Sequence, residues 1–349
     1  MVLTSSLKPS NSSPRGLRNK LYAELESHLD SEVLSFVTSE RRGMDTRIDQ
    51  DCIEPFVDIL DQIGTTQRIS LILHTSGGDT LAAWRLINLL RMFCTELHVL
   101  IPSMALSAGT LIALGADRVT MTRQAVLGPI DPSISELLNP QAEIHGQSTP
   151  VPVSVESVRG YFNAARDGLG INDSEQLTEI LVNLTNHVHP LVLGSIFRTE
   201  AQIRLLARKL LSKQIDDVDA VESIVDFFCS DSGSHDYTIN RKEAIELGLK
   251  IAKPSDEIYD LLRNIHLSFM AELKVFEPYT ADSILHSEQN EDGTSYSIPR
   301  GFVESTRNGD YTYLSEGSRT FVRVRESPPK MGIKDSRSFE GWRKQEKPI

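Results

Sequence analysis

Two short stretches of the chain combine residue types that could act on a carbonyl group. The first, LILHTSGGDTLAA, is an apolar run that ends at Gly77 and Gly78. The second, IPSMALSAGTLIALGADRVTM, places Ser107 at a comparable turn. A serine hydroxyl can attack a carbonyl, and glycines leave backbone N–H groups accessible to the resulting oxyanion. A capping serine or a glycine turn would explain either stretch alone, so the chemical interpretation depends on the pair.

The apolar pattern around these stretches predicts alternating strands and helices. ISLILH, LHVLI and DRVTM are short runs rich in apolar and β-branched residues, typical of strands buried on both faces. The segments after Asp79 and Ser107 have helical spacing, and Asp79 is placed to cap its helix. This alternation predicts βαβ units and a parallel sheet, with Gly77 and Ser107 at the carboxyl ends of strands, where α/β folds bind ligands.

Further elements are predicted on both sides of this region. Helical periodicity extends over Leu21–Val37, and a second helix, IEPFVDILDQI, ends at Gly64. Residues 154–228 are predicted to be mainly helical, and a last helix follows Pro254. Near the end of the chain, DYTYLSEGSRTFVRVR is predicted to form a hairpin around Glu316 and Gly317, followed by a mobile tail.

Composition excludes several classes of partner. The 349 residues carry a net charge of −12, which argues against a nucleic-acid partner because phosphate binding requires a basic face. No run of about 18 apolar residues is present, so we expect no membrane span. Cys52, Cys94 and Cys229 are few and lack metal-ligand spacing, which favours a reducing, cytoplasmic location without disulfides. No G-x-G-x-x-G follows a strand, so nicotinamide binding is unsupported, and we expect neither a cofactor nor a metal.

Three motifs in order carry a family resemblance. They are HTSGGDTLAAWRLINLL, PSMALSAGTLIALGADRVTMTRQAVLGPIDPS and SHDYTINRKEAIELGLKI, covering roughly residues 50–135 and 230–252. Together they resemble the Clp peptidase and crotonase superfamily, and more closely the serine dehydrogenase proteinase family, relatives of signal peptide peptidase A. The resemblance implies an α/β fold, a Clp/crotonase-like spiral of ββα units with added helices. It also implies a homo-oligomeric serine peptidase that cleaves peptides or unfolded protein segments.

The resemblance also assigns the nucleophile and the oxyanion hole. The matching positions imply that Ser107 is the nucleophile and that the N–H groups of Gly78 and Ala108 form the oxyanion hole. The first turn of the helix that starts at Ser107 would favour a developing negative charge. Ser103 is the nearby competitor, and we expect it to lie in the preceding loop.

The general base is less well defined. Clp peptidases carry a histidine after the strand that follows the nucleophile helix, but AVLGPIDP contains none. Signal peptide peptidases carry a lysine some 40–50 residues after the serine, but no lysine lies between Ser107 and Lys209. The remaining candidates are His235, Lys209 and the pair His187 and His189. We favour His235, because a histidine with an ordinary pKa needs little tuning to act as a base at neutral pH.

Three domains and three functions are consistent with this sequence. We expect a flexible segment over residues 1–20, a Clp/crotonase-like peptidase domain over 21–280 and a C-terminal extension over 281–349. The missing family base leaves open a catalytically decayed binding or scaffold protein. A crotonase-type enzyme acting on an acyl thioester would use the same oxyanion hole but would not need Ser107, which argues against it.

Overall fold

The computed structural model describes residues 13–130, 133–134, 137–144, 147–231, 236–280, 294–307, 309–324 and 330–345. It divides into two units, the first formed by Met1–Val126 with Lys250–Ile349 and the second by Leu127–Leu249. In chain order, the α-helices are α1 (Pro14–Leu29), α2 (Ile53–Ile63), α3 (Thr80–Phe93), α4 (Ala108–Leu114), α5 (Val155–Asn163), α6 (Ser174–Thr185), α7 (Pro190–Leu211), α8 (Val218–Asp226), α9 (Arg241–Glu246) and α10 (Asp256–Leu273). The strands are β1 (Glu32–Thr38), β2 (Thr66–His74), β3 (Cys94–Ile101), β4 (Met104–Ala105), β5 (Arg118–Met121), β6 (Val126–Leu127), β7 (Ser133–Ile134), β8 (Gln141–Ile144), β9 (Gln147–Pro150), β10 (Val153–Ser154), β11 (Ile239–Asn240), β12 (Ile251–Ala252), β13 (Thr294–Ser305), β14 (Tyr311–Val324) and β15 (Lys330–Lys344).

A mixed sheet organises the first unit. Its strand order is β12-β5-β3-β2-β1-β13-β14-β15. The strands from β12 to β1 are parallel, whereas β13, β14 and β15 extend the sheet in antiparallel pairing. The predicted α/β class is confirmed, and so is the predicted series of parallel strands and helices from β2 to β5.

Helices cover both faces of the parallel strands. On one face, α1 and α10 pack on alternate strand residues such as Val37, Ile72 and Leu100. On the other face, Phe36 of β1 meets Phe56 of α2 edge-on, with ring centroids 5.3 Å apart. Burial on both faces explains why these strands are almost continuously apolar.

The first predicted helix is too long. Helix α1 ends at Leu29, and Asp30 follows in the left-handed conformation, with φ of 48°. Residues Val33–Val37, which match the helical spacing, instead form most of β1, where both faces are buried. A strand that is buried on both faces is continuously apolar, so its residues fit the helical repeat of apolar positions as well as the strand repeat. The spacing alone therefore did not distinguish the strand from a helix. Helix α1 also begins at Pro14, inside the segment expected to be flexible.

The C-terminal part of the chain also differs from the expected hairpin and tail. Strand β14 runs continuously through Glu316 and Gly317, with an irregular register at that pair rather than a turn. A Cβ on Gly317 would lie 2.5 Å from the carbonyl oxygen of Ser336, so the glycine allows β14 and β15 to approach closely. The sequence that was expected to form a mobile tail contains β15.

The second unit is mainly helical, as predicted. Its helices α5 and α7 share an apolar cluster that includes Val155, Val158, Val192 and Ile196. Helix α6 has no buried residue. Among the described helices, none alone is both long and apolar enough to cross a bilayer, whereas α6 and α7 reach that length and composition as a pair bent by 103°.

A buried ion cluster connects α1 to β13 and α10. The guanidinium of Arg18 donates to both carboxylate oxygens of Glu304 on β13, at 2.9 and 2.6 Å, and to Glu272 on α10 at 2.6 Å. Tyr22 donates to the same Glu304 carboxylate at 2.8 Å. Desolvation raises the pKa of the Tyr22 hydroxyl well above its usual range, and the nearby Glu304 charge adds to this effect.

Replacing Arg18 with leucine should lower the free energy of unfolding by about 3–5 kcal/mol, because the Glu304 carboxylate would stay buried without its cation. Chemical denaturation monitored by circular dichroism measures the change. Lys20→Leu is the matched control, since Lys20 is exposed on the same helix. Equal unfolding free energies for the two variants would contradict the structural role of the ion cluster.

Candidate active site

Ser107 has an unusual backbone conformation. Its φ of 51° and ψ of −115° lie close to the first central position of a type II′ turn, which glycine normally occupies. The turn is closed by a hydrogen bond from the Gly109 N–H to the Leu106 carbonyl at 2.8 Å. Asp30 and Lys274 also have positive φ, but both are ordinary left-handed helix caps. Strain of this type at a serine is characteristic of functional positions.

The Ser107 hydroxyl does not cap its helix. Ser13, Ser154 and Ser255 precede α1, α5 and α10, and each side chain accepts a hydrogen bond from a backbone N–H in the first turn. Ser107 occupies the same position before α4, but its side chain makes no such bond. It is partly exposed, so the hydroxyl remains available to an incoming group. Helix capping therefore does not account for this serine.

The strand end at Gly77 lies directly against Ser107. A Cβ on Gly77 would be 2.7 Å from the Ser107 Cβ and 3.3 Å from its Oγ. The contact is organised by the Thr75 backbone, which accepts from the Leu106 N–H at 3.0 Å. Any side chain at position 77 would occupy the space beside the hydroxyl. The two stretches that the sequence singled out are thus in contact.

Gly78 is held by Ile48 on the other side. Ile48 donates to the Gly77 carbonyl and accepts from the Asp79 N–H, both at 2.8 Å. A Cβ on Gly78 would lie 2.2 Å from the Ile48 carbonyl oxygen, which excludes any larger residue at this position without a backbone shift. This bridge fixes the direction of the backbone just before the cap of α3.

The N–H groups of the two glycines and of Ala108 differ in whether they have acceptors among the described residues. The Gly77 N–H already donates to the Thr75 hydroxyl at 3.1 Å. Within the described part of the chain, neither the Gly78 N–H nor the Ala108 N–H has an acceptor. Ala108 is the first residue of α4, where helical N–H groups are normally open. Both groups are therefore free to donate to an oxyanion.

Ser103 lies in the bend between β3 and β4, as expected from the sequence, and its carbonyl accepts from the Val126 N–H at 2.9 Å.

The candidate bases that the structure describes belong to the second unit. Lys209 is exposed on α7. His187 is exposed, and His189 caps α7 through Nδ1, which accepts from the Leu191 N–H at 3.2 Å. His235 lies outside the described residues.

One histidine next to the glycine pair faces away from Ser107. His74 ends β2 immediately before Thr75, and neighbouring strand residues point to opposite faces. Thr75 faces α4, where its methyl group lies 2.5 Å from a Cβ placed on Gly109, while the His74 ring lies 4.9 Å from that of His266 on α10. His74 Nε2 is 3.6 Å from the Glu40 carboxylate. This cluster therefore belongs to the α10 side of the sheet.

The three cysteine thiols are protonated at neutral pH. Burial raises the pKa of Cys52 and of Cys229 to about 12 and that of Cys94 to about 11, so all three thiols stay protonated at neutral pH. Among the residues whose placement is described, no three His, Cys, Asp or Glu side chains are grouped as metal ligands.

Comparison with known proteins confirms the family resemblance over part of the chain. Residues 49–146 match the family described as ClpP-like SDH-type serine proteinase. Two uncharacterized proteins of Methanocaldococcus jannaschii, MJ0137 and MJ1495, are each 30% identical to this chain, over 195 and 214 residues. These alignments cover 56% and 60% of this chain, and they span 57% and 62% of the length of the two relatives.

Solved structures with some likeness share little sequence with this chain. A mutant of the 1510-N membrane-bound stomatin-specific protease has 15% identity and a TM-score of 0.38, covering 67% of this chain and 84% of its own. A mutant of ClpP1 from Listeria monocytogenes has 13% identity and a TM-score of 0.35, covering 67% and 99%.

Ser107→Gly should stabilise the fold, because glycine adopts the positive φ without strain. The relief of backbone strain outweighs the larger conformational entropy that glycine gives the unfolded chain. We therefore expect the free energy of unfolding to rise by about 1 kcal/mol. Ser107→Ala should give no such gain, since alanine keeps the Cβ. Urea unfolding of both variants measures the difference. Ser103→Gly is the matched control, because Ser103 has no positive φ and should gain nothing.

Proposed function

We propose that this chain, part of which matches a serine proteinase family, is a serine peptidase with Ser107 as its nucleophile. The observation that carries the proposal is the strained turn at Ser107, which presents an uncapped hydroxyl beside Gly77. Strain is retained at a position only when the surrounding structure enforces it, and such positions cluster at active sites. The substrates we propose are peptides or unfolded protein segments.

The reaction proceeds in two stages. The Ser107 hydroxyl loses its proton to a general base while Oγ bonds to the scissile carbonyl carbon, and the carbonyl oxygen takes the negative charge. As the C–N bond breaks, the protonated base gives its proton to the leaving amine, and an acyl ester remains on Ser107. Water then attacks the ester in the same manner, releasing the acid and restoring the hydroxyl.

The oxyanion hole consists of the N–H groups of Gly78 and Ala108. Both lack acceptors in the described part of the chain, whereas the N–H of Gly77 is already taken by Thr75. This difference supports the choice of the second glycine over the first. Donors fixed in advance need no reorganisation when the charge forms, and removing one such donor commonly slows a reaction about 10²–10³-fold.

The general base is a choice among five residues. His235 remains our first candidate, with Lys209 and the pair His187 and His189 as alternatives. A fifth candidate, passed over by the sequence analysis, is His145, which lies 38 residues after Ser107. That separation is close to the interval at which signal peptide peptidases carry their lysine. Its imidazole would need little adjustment of pKa to accept a proton at neutral pH.

A binding or scaffold protein without catalysis is the second candidate function. It is favoured by one observation, the absence of a histidine or lysine at the positions where the related peptidases carry their base. In such a protein, the N–H groups of Gly78 and Ala108 would hold a peptide carbonyl without cleaving the chain.

Ser107→Ala should abolish peptide or casein hydrolysis, because losing the nucleophile commonly lowers the rate by several orders of magnitude. A fluorophosphonate probe should label the parent protein and not the variant. Ser103→Ala is the matched control and should keep both labelling and turnover. Equal turnover by parent and Ser107→Ala would end the peptidase proposal, and a parent inert to both substrate and probe would favour the scaffold function.

If His235 is the base, His235→Ala should lose nearly as much activity as Ser107→Ala. The reason is that substitutions of residues that act together in one step do not have additive effects on the rate. The rate should then rise with pH through one ionisation near about 6.5. Lys209→Ala, His189→Ala and His145→Ala, assayed in parallel, should stay near parent activity. If His235→Ala keeps near-normal turnover, the base is whichever of Lys209, His189 and His145 causes loss of activity when it is replaced. A rise at higher pH would favour Lys209.

We also propose that the chain forms a homo-oligomer. Helix α6 leaves large apolar side chains such as Leu181 and Val182 exposed, and α7 does so with Leu191 and Phe197. Apolar surface concentrated in this way is typical of subunit interfaces.

Sedimentation velocity at micromolar concentration should show a species larger than the 38.9 kDa monomer. Leu181→Asp should shift the population toward monomer, because a carboxylate would have to be buried in the interface. Glu179→Asp, on the same helix, should leave the distribution unchanged. A parent protein that sediments as a monomer contradicts the oligomer without touching the assignment of Ser107.

A further inference from the structure

A cavity of about 350 Å³ lies within the first unit, against the sheet face that α1 and α10 cover. Its walls come from β2, β3 and β5, the end of α1 and the segment that joins β12 to α10. Neither Ser107 nor Gly77 lines it. The proposed peptidase reaction uses none of the residues around this cavity.

The strand register builds one wall from polar side chains. Arg68 on β2 lies beside Glu96 on β3, and His98, the next residue but one on β3, lies beside Arg118 on β5. Because alternate residues share a face, these side chains all project toward the side of the sheet covered by α1 and α10. Thr120, two residues after Arg118, also lines the cavity.

The cavity has a positive charge that its own residues do not neutralise. Arg68 is engaged with Glu96, at 2.7 Å, and donates to the Leu29 carbonyl at 2.8 Å. Glu96 is the carboxylate among the lining residues. Arg118 and Lys253 have no ion-pair partner among the described residues. Arg118 and Lys253 thus give the cavity a local positive charge, although the net charge of the protein is −12. This local charge favours anions at the cavity.

A neutral histidine lines the cavity. His98 is only 4% exposed, and its Nε2 is 2.8 Å from the Thr120 hydroxyl. Burial, and next the charges of Arg118 and Arg68, lower the pKa of His98 to about 4, so the imidazole is neutral at pH 7. In the tautomer with its hydrogen on Nδ1, the ring accepts from the Thr120 hydroxyl at Nε2, and the Nδ1–H can donate to a ligand.

We propose that this cavity binds the phosphate group of a small molecule, held by Arg118 and Lys253 and oriented by the His98 Nδ1–H. A phosphate monoester carries between one and two negative charges at pH 7 and has three strong acceptor oxygens, which matches two cations and a neutral donor. A single carboxylate would leave one of the cations without a counter-charge. The volume accommodates a small ligand.

Isothermal titration calorimetry with inorganic phosphate tests the site, using the full chain and chloride to hold the ionic strength constant. We expect saturable binding that weakens at least about tenfold in Arg118→Gln and in Lys253→Gln, the scale of one lost charge-assisted contact. Arg123→Gln is the matched control. Arg123 carries the same charge on a nearby exposed position but does not line the cavity, and its variant should stay within about twofold of the parent.

Two further titrations make the result decisive. Ser107→Ala should bind phosphate like the parent, so the outcome does not depend on whether the chain is a peptidase. Acetate should bind more weakly than phosphate. The proposal is overturned if the parent shows no saturable phosphate binding, if acetate binds as tightly as phosphate, or if Arg123→Gln weakens binding as much as Arg118→Gln.

Discussion

The close approach of backbone segments at the end of β2 is the constraint on which the candidate site depends. Gly78 lies so near Ile48 that no side chain fits between them, and a side chain on Gly77 would clash with Ser107. Hydrogen bonds from Ile48 and Leu106 join three separate segments of chain at this point. These bonds are between main-chain groups, and the close approach requires that both glycines are kept.

The same constraint explains the strain at Ser107. The chain must leave β4, pass Gly77 and enter α4 within a few residues, which requires a tight turn with positive φ. Glycine would adopt that conformation at lower cost, so a serine there lowers stability in return for a hydroxyl. Gly109 allows α4 to sit against Thr75, so the helix start and its open N–H group stay beside the strand end.

The candidate active site and the cavity have different electrostatic character. At the carboxyl end of the parallel strands, the groups available to a ligand are neutral backbone donors, suited to a charge that forms only during a reaction. Against the sheet face that α1 and α10 cover, the cavity presents permanent cations beside a neutral histidine, suited to a ligand that is already an anion.

The sequence by itself determined the α/β class, the bounds of most helices and strands around the site, and the pairing of Ser107 with the glycine stretch. These features follow from local patterns, namely apolar periodicity, capping residues and glycines at strand ends. The tertiary structure decided what depends on contacts between distant segments. Val33 and Phe36 fit a helical period, but they became strand residues because β1 inserts between β2 and β13. The fixed position of Gly78 depends on Ile48, and the cationic cavity depends on the register of three strands, which no local pattern encodes.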